Sequence, residues 1–351
     1  MPKPSLDGKY TSGRKRSSLF RQQQPRRLRL PISLVIVGAI ILLFWLIPPA
    51  AQITDQAFQI PDITLPTTTA TITPLPLPTS VHGGSIVFTC TRGDFNNLCM
   101  INADGTGLKT LISNNTNNYY PVFSPQGDSV VYASLVNGNF DLFRIVLSTS
   151  KIFQLTNKVG NVFSPSFSPD GNQIAFLNRP SSGPAALWVM KSNGENPHLL
   201  YAGPNNIVAA AWSPHGDSIA FAMAVESDYA YQVFLLDVNQ PKNQPRQITR
   251  QRLDIGGSLD WSPDATKLLI YAGPVGGREI YQLDVDTGDI TQLTFGGNNA
   301  AAAYSPDGQY IVYNSLRNND QADLYIMRAD GHSTRQLTDN PEPDWQPQWA
   351  P

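Results

Sequence analysis

An all-β fold, a six-bladed β-propeller of four-stranded antiparallel blades, is predicted by three observations. A Ser-Pro-Asp-Gly turn at Ser305–Gly308 recurs from Ser168 and, with one changed residue each, from Ser124, Ser213 and Ser262; the serines lie 44, 45, 49 and 43 residues apart. An aromatic residue precedes each copy (Phe123, Phe167, Trp212, Trp261, Tyr304). Short alternating apolar runs fill the interval between copies. A fixed period in the forties signals one repeated supersecondary unit, and four short strands per period make a propeller blade.

The N-terminal region is of another kind. Residues 1–30 hold nine Lys/Arg and one acid, Asp7, whereas the rest of the chain holds 16 basic and 26 acidic residues. Leu30–Thr54 carries no charge, and residues 32–47 are almost wholly apolar. About 20 such residues cross a bilayer as helix, and the basic flank places the N-terminus in the cytoplasm. Residues 1–29 are therefore expected to be a basic cytoplasmic tail and 30–51 a transmembrane helix contacting the lipid bilayer. The rest is then extracytoplasmic, on a single-pass cell-membrane protein. A cleaved signal peptide is the alternative, against which a 30-residue basic lead is long. The adjacent span accounts for the basic run, so no nucleic-acid partner is expected. Residues 52–80 are Thr/Pro-rich and cannot build a core; they read as a disordered stalk.

The propeller is expected over 81–351. In its last unit Tyr310–Tyr313 is the second strand, Ala322–Met327 the third and Thr334–Thr338 the fourth. Gln-x-Thr recurs in the fourth strand at Gln154–Thr156, Gln247–Thr249 and Gln292–Thr294. Five complete motifs give five blades, and the sixth combines both ends. Ile86–Phe88 and Leu98–Ile101 supply its second and third strands. Residues 346–351 supply its first, pairing with the first blade so that no sheet edge is left open. Cys90 and Cys99 flank an expected hairpin loop, Thr91–Asn97. On an extracytoplasmic protein they are expected to form a disulfide, with a free thiol pair as the alternative.

Phe/Trp-Ser-Pro-Asp-Gly followed by an apolar strand, Leu324–Gly331 and Arg335–Thr338 resemble the TolB-type (WD40-like, PD40) propeller repeat. The resemblance covers 81–351 and implies six blades. The family's periplasmic two-domain member carries a separate α/β domain; here an anchor and stalk stand in that place. Its partners, such as a peptidoglycan-associated lipoprotein, are therefore not carried over. The repeat also builds the propeller of prolyl-oligopeptidase-like peptidases.

Catalytic signals are sparse. No Gly-x-Ser-x-Gly occurs. Asp284–Asp289 resembles the start of a calcium loop, but its twelfth position is Phe295, so it reads as a repeat turn. His82, His198, His215 and His332 are isolated, and no metal, cofactor or catalytic residue is expected. The self-similar turns share one face of a propeller, so binding is assigned to the variable loops of the other face and to the mouth of the channel. Five residues before each motif serine, or before Ala350, stand Trp345, Tyr119 and Phe163 on adjacent blades, then Val208, Gly257 and Ala300. They form an aromatic crescent facing an open side, with Tyr120, Arg250, Arg252, Asn298, Asn299 and Asp344 as its rim. The alternative is that the aromatics fill gaps between loops. The expected function is a binding scaffold for a protein, peptide or glycan, not an enzyme; the competing reading is a lactonase- or lyase-like hydrolase with a channel site.

Overall fold

The computed structural model describes residues 84–225, 230–242, 244–251, 253–318 and 321–351. The expected tail, span and stalk, residues 1–80, lie outside the described residues. Among those described, no helix is long and apolar enough to cross a membrane.

The described residues form 24 strands. In chain order, β1 is Ser85–Arg92, β2 Phe95–Asn102 and β3 Lys109–Ile112. Then come β4 Asn118–Phe123, β5 Ser129–Val136, β6 Asn139–Val146 and β7 Lys151–Gln154. These are followed by β8 Asn161–Phe167, β9 Gln173–Arg179, β10 Ala186–Lys191 and β11 His198–Tyr201. Next are β12 Ile207–Trp212, β13 Ser218–Ala224, β14 Tyr231–Asp237 and β15 Arg246–Gln247. After them lie β16 Ile255–Trp261, β17 Lys267–Ala272, β18 Glu279–Asp284 and β19 Ile290–Gln292. The last set is β20 Asn299–Tyr304, β21 Tyr310–Ser315, β22 Asp323–Arg328, β23 Arg335–Gln336 and β24 Asp344–Trp349. They make six four-stranded antiparallel sheets. Blade 1 runs β24-β1-β2-β3; blades 2 to 6 begin at β4, β8, β12, β16 and β20. Each of these first strands touches the next, and β24 touches both β20 and β4, which closes the ring.

Closure uses residues from both ends of the propeller. Ile86 pairs with Trp349 and Cys90 with Asp344, and Ala350 N donates to Ser85 O at 2.8 Å. The closing strand starts at Asp344, two residues earlier than expected. Arg335 of blade 6 donates to the carbonyls of Ala103 and Asp104 in blade 1. Cys90 and Cys99 are joined by a disulfide within the β1–β2 hairpin. That hairpin is tighter than expected: the strands run through Arg92 and resume at Phe95, leaving Gly93-Asp94 as the turn. Gly93 has φ 64° there, as a two-residue hairpin requires.

Six apolar clusters, one between each pair of neighbouring blades, form the core. Alternation along a strand sends successive side chains to opposite neighbours. Ile86 and Phe88 pack toward blade 6, and Val87 between them packs toward blade 2. The aromatic before each turn (Phe123, Phe167, Trp212, Trp261, Tyr304) and Trp349 are all buried.

The repeated polar residues bond within the blade. The motif serine hydroxyls of Ser124, Ser168, Ser262 and Ser305 accept the N–H five residues on, as Tyr310 N to Ser305 at 2.9 Å. Where the motif aspartate is present the hydroxyl donates to it, as Ser305 to Asp307 at 2.6 Å. At the opposite end, the Gln-x-Thr glutamine of blades 4, 5 and 6 donates to the threonine carbonyl, as Gln292 to Thr294 at 2.7 Å. The threonine hydroxyl accepts a third-strand N–H and donates to a buried acid or amide: Thr156 to Asp141, Thr249 to Gln232, Thr294 to Glu279. Asp141 and Glu279 are thereby committed to holding the loop-face end of their blades.

Candidate functional site: the channel mouth

The six first strands enclose a cavity of about 1050 Å³ that runs from the Ser-Pro turns to the loop face. In blades 1, 2, 3 and 6 the first strand carries a bulge two residues wide. Gln346-Pro347 opposes Phe88, Tyr120-Pro121 opposes Tyr132, Ser164-Pro165 opposes Phe176, and Ala301-Ala302 opposes Tyr313. The opposed aromatics are all buried. Gln346, Tyr120, Ser164 and Ala301 have φ near 50°, a conformation non-glycine residues seldom adopt and one that re-aims a strand. Proline follows in three of the four, where it removes an N–H that the bulge would leave unpaired.

Three of the expected site residues line this cavity: Tyr119, Tyr120 and Trp345. The Tyr119 hydroxyl accepts from Asn96 Nδ2 at 2.6 Å, and its ring meets Phe140 edge-on. Tyr120 N donates to Gln346 Oε1 at 3.0 Å, so adjacent bulges brace each other. Burial, and secondarily the Tyr271 phenol, raise the Tyr120 pKa. Blades 2 and 5 are opposite in a six-membered ring, so these tyrosines approach from the two sides of the channel.

The remaining expected residues are placed differently. Phe163 is absent from the cavity wall and packs against the core between blades 3 and 4, capped by the Arg179 guanidinium at 5.5 Å. Asp344 is fully buried rather than at the rim. It accepts from Arg92 at 3.1 Å and Asn340 at 2.6 Å, and burial raises its pKa against the Arg92 charge. Arg250 is exposed and does not line the cavity. Arg252 lies outside the described residues. Asn298 lines the wall; Asn299 is buried and donates to Glu279 Oε2 at 2.7 Å.

The expected open side is filled. In blade 5, the three residues Gly256–Ser258 oppose the single residue Tyr271, so the irregularity lies one residue nearer the mouth than in the other blades. A one-residue change of register reverses which way a side chain points, and Tyr271 lines the channel with its hydroxyl accepting from Gly257 N at 2.7 Å. A Cβ on Gly256 would sit 1.8 Å from the Tyr271 ring, so glycine is needed there. The Arg278 guanidinium lies 5.4 Å from the centre of that ring.

Arg278 and Asp260 are the charged residues among those lining the cavity. Asp260 accepts from Tyr304 N of blade 6 at 2.8 Å and from Gln348 Nε2 of blade 1 at 3.2 Å, linking three consecutive blades. It is partly exposed by surface area, but that surface faces the channel rather than bulk solvent. Burial pushes its carboxyl up to about 7, against those two donors. Ser166 takes the same role at the equivalent position of blade 3, accepting from Trp212 N at 2.9 Å. Sequence reasoning missed Asp260, Tyr271 and Arg278. The usable signals were an acid at a first-strand position that is otherwise small, apolar or neutral, and the Gly256-Gly257 pair.

A family model described as the TolB beta propeller domain matches residues 80–223. With six blades closed as above, the repeat region is similar to a TolB-type propeller. An uncharacterized Agrobacterium fabrum protein is 29% identical over 59% of this chain and 66% of its own length. A Francisella tularensis protein described as Tol-Pal system protein TolB is 26% identical over 65% of this chain. The match spans 54% of that relative, about half its length. Among solved structures, TolB from Acinetobacter baumannii superposes with a TM-score of 0.67 at 23% identity, over 76% of this chain and 67% of that one. The same architecture occurs in puromycin hydrolase, with a TM-score of 0.53 at 18% identity, over 76% of this chain and 44% of that one. The propeller is thus similar in sequence to a Tol-Pal system protein and in fold to part of puromycin hydrolase.

Proposed function

We propose that this protein is a membrane-anchored, extracytoplasmic binding module whose propeller receives a protein or peptide segment at the loop-face mouth of its channel. The carrying observation is the channel itself: a large cavity, walled by strained bulges and half-buried aromatics and holding few charges. Such concave, mostly apolar spaces with a few polar groups suit ligands. Likeness to a protein of the Tol-Pal system supports a protein partner; the uncharged stretch at 30–51 behind its basic flank supports the anchor. A glycan is the other ligand class that aromatic walls accept.

A photo-crosslinking residue placed at Trp345 or Tyr119 is expected to capture a surface partner in intact cells, while one at Asp170 or His215 on the turn face is not. Capture from the turn face alone would overturn the assignment. One observation favours an enzyme as the second reading: a carboxyl titrating near neutrality in a cleft is a feature of catalytic acids and bases. Among the described residues no second carboxylate or histidine lines the cavity to complete an acid–base pair.

A further inference from the structure

The two lumen charges lie at different depths. Asp260 is level with Leu269 in the β16–β17 register, and Arg278 follows directly on the Ala272–Glu279 pair at the loop end. Four residue steps separate those levels, about 13 Å along the channel wall. Arg278 forms no ion pair among the described residues, and its Nε is buried without a hydrogen-bond partner. Its backbone is pinned on both sides: its N–H donates to Asn298 Oδ1 at 3.3 Å, and its carbonyl accepts from Asn299 N at 2.7 Å. Its guanidinium rests on a tyrosine ring that is itself held by Gly257. A planar guanidinium stacked in this way keeps its donor edges available for a carboxylate. A buried unmet donor is costly, so an acceptor brought to this arginine is favoured. Val275 and Phe295, 87% and 80% exposed, stand on the loops flanking Arg278.

We propose that the channel takes an extended peptide that carries an acidic side chain at the level of Arg278, while its inserted tip, facing Asp260, is uncharged or basic. This rests on the peptide-binding reading of the channel and adds its chemistry. Arg278 supplies paired donors to the carboxylate, and Val275 and Phe295 supply apolar contact to the residues outside it. Asp260, with neutral donors only, disfavours a second acid deeper in the channel and so sets how far the peptide enters.

The test is selection of a random dodecapeptide phage library on the full-length chain in nanodiscs, with four proteins compared. Wild type is expected to enrich peptides with Asp or Glu at one fixed position. Arg278→Gln should lose that enrichment and bind the selected peptides about tenfold or more weakly. Arg278→Lys should keep the preference with reduced affinity. Asp260→Asn should admit acids at the tip. Melting temperatures identify any variant that fails to fold, and Arg278→Lys then carries the comparison. Equal acid enrichment by Arg278→Gln, or wild-type binders lacking acids, overturns this proposal alone. If no selected peptide is displaced when the channel is filled by Ala300→Trp, the channel reading falls and takes this proposal with it.

Discussion

The motif serine serves its turn even where the motif aspartate is missing. Gln126 and His215 stand in the aspartate slot of blades 2 and 4, and there the hydroxyl donates instead to an acid two residues further on, Ser124 to Asp128 at 2.7 Å and Ser213 to Asp217 at 3.2 Å. His215 is thus a tolerated replacement in a turn, with the acid supplied elsewhere. Hydrogen bonds from the serines, before any other cause, lower the pKa of Asp128, Asp170 and Asp264. Asp260 moves the other way. Its folded carboxyl titrates near 7, an unfolded aspartate near about 4, so the native state holds the extra proton between those values. Its contribution to stability is complete below about pH 4 and is lost as pH rises through about 7. Asp260→Asn, which mimics the protonated form, is expected to match wild type at about pH 4 and to exceed it at about pH 8 by roughly 2 kcal/mol, less than the full shift implies because the lumen is wet. Urea unfolding at the two pH values measures this; an Asn variant less stable than wild type at pH 8 contradicts it. The serine turns were legible because they repeat. Asp260 was not, because a residue occurring once in a repeat gives no periodic signal.

At the scale of the element, β24 matters most. It supplies the first strand of blade 1, its Trp349 packs in the core between blades 6 and 1, and Gln346 bonds to Tyr120 N of blade 2. Trp349→Ala is expected to cost about 3–5 kcal/mol. Deleting 345–351 should cost more and lower the melting temperature of the whole propeller in one transition, since an opened ring exposes two sheet faces. An unchanged thermal unfolding curve contradicts ring closure as the source of stability. Strand existence was legible from alternation and the aromatic–Ser-Pro period; bulge position was not. Four blades share one bulge site and blade 5 shifts it by a residue, and that single shift turns Tyr271 into the channel. Counting five residues back from each serine placed Tyr119 and Trp345 on the channel wall but put Phe163 there as well, although its ring is taken up by the core of the next blade.

At the scale of the whole molecule, repeated and variable residues separate onto opposite ends of the channel. The turns and the Gln-x-Thr relays use their polar atoms within and between blades. Tyr119, Tyr120, Tyr271, Arg278 and Trp345, which break the repeat, gather at the loop end of the cavity. The blade count could be read from one sequence because it follows from the period. The mouth's charge pattern could not, since it depends on which residues from different blades meet. The central claim is that ligand enters this mouth and occupies the channel. Replacing Ala300 on the channel wall by Trp, in a chain that carries the photo-crosslinker at Trp345, tests it most directly. The account predicts loss of partner capture with the melting temperature held within a few degrees, while Asp170→Trp on the turn face leaves capture intact. Undiminished capture by a folded Ala300→Trp variant would contradict the account.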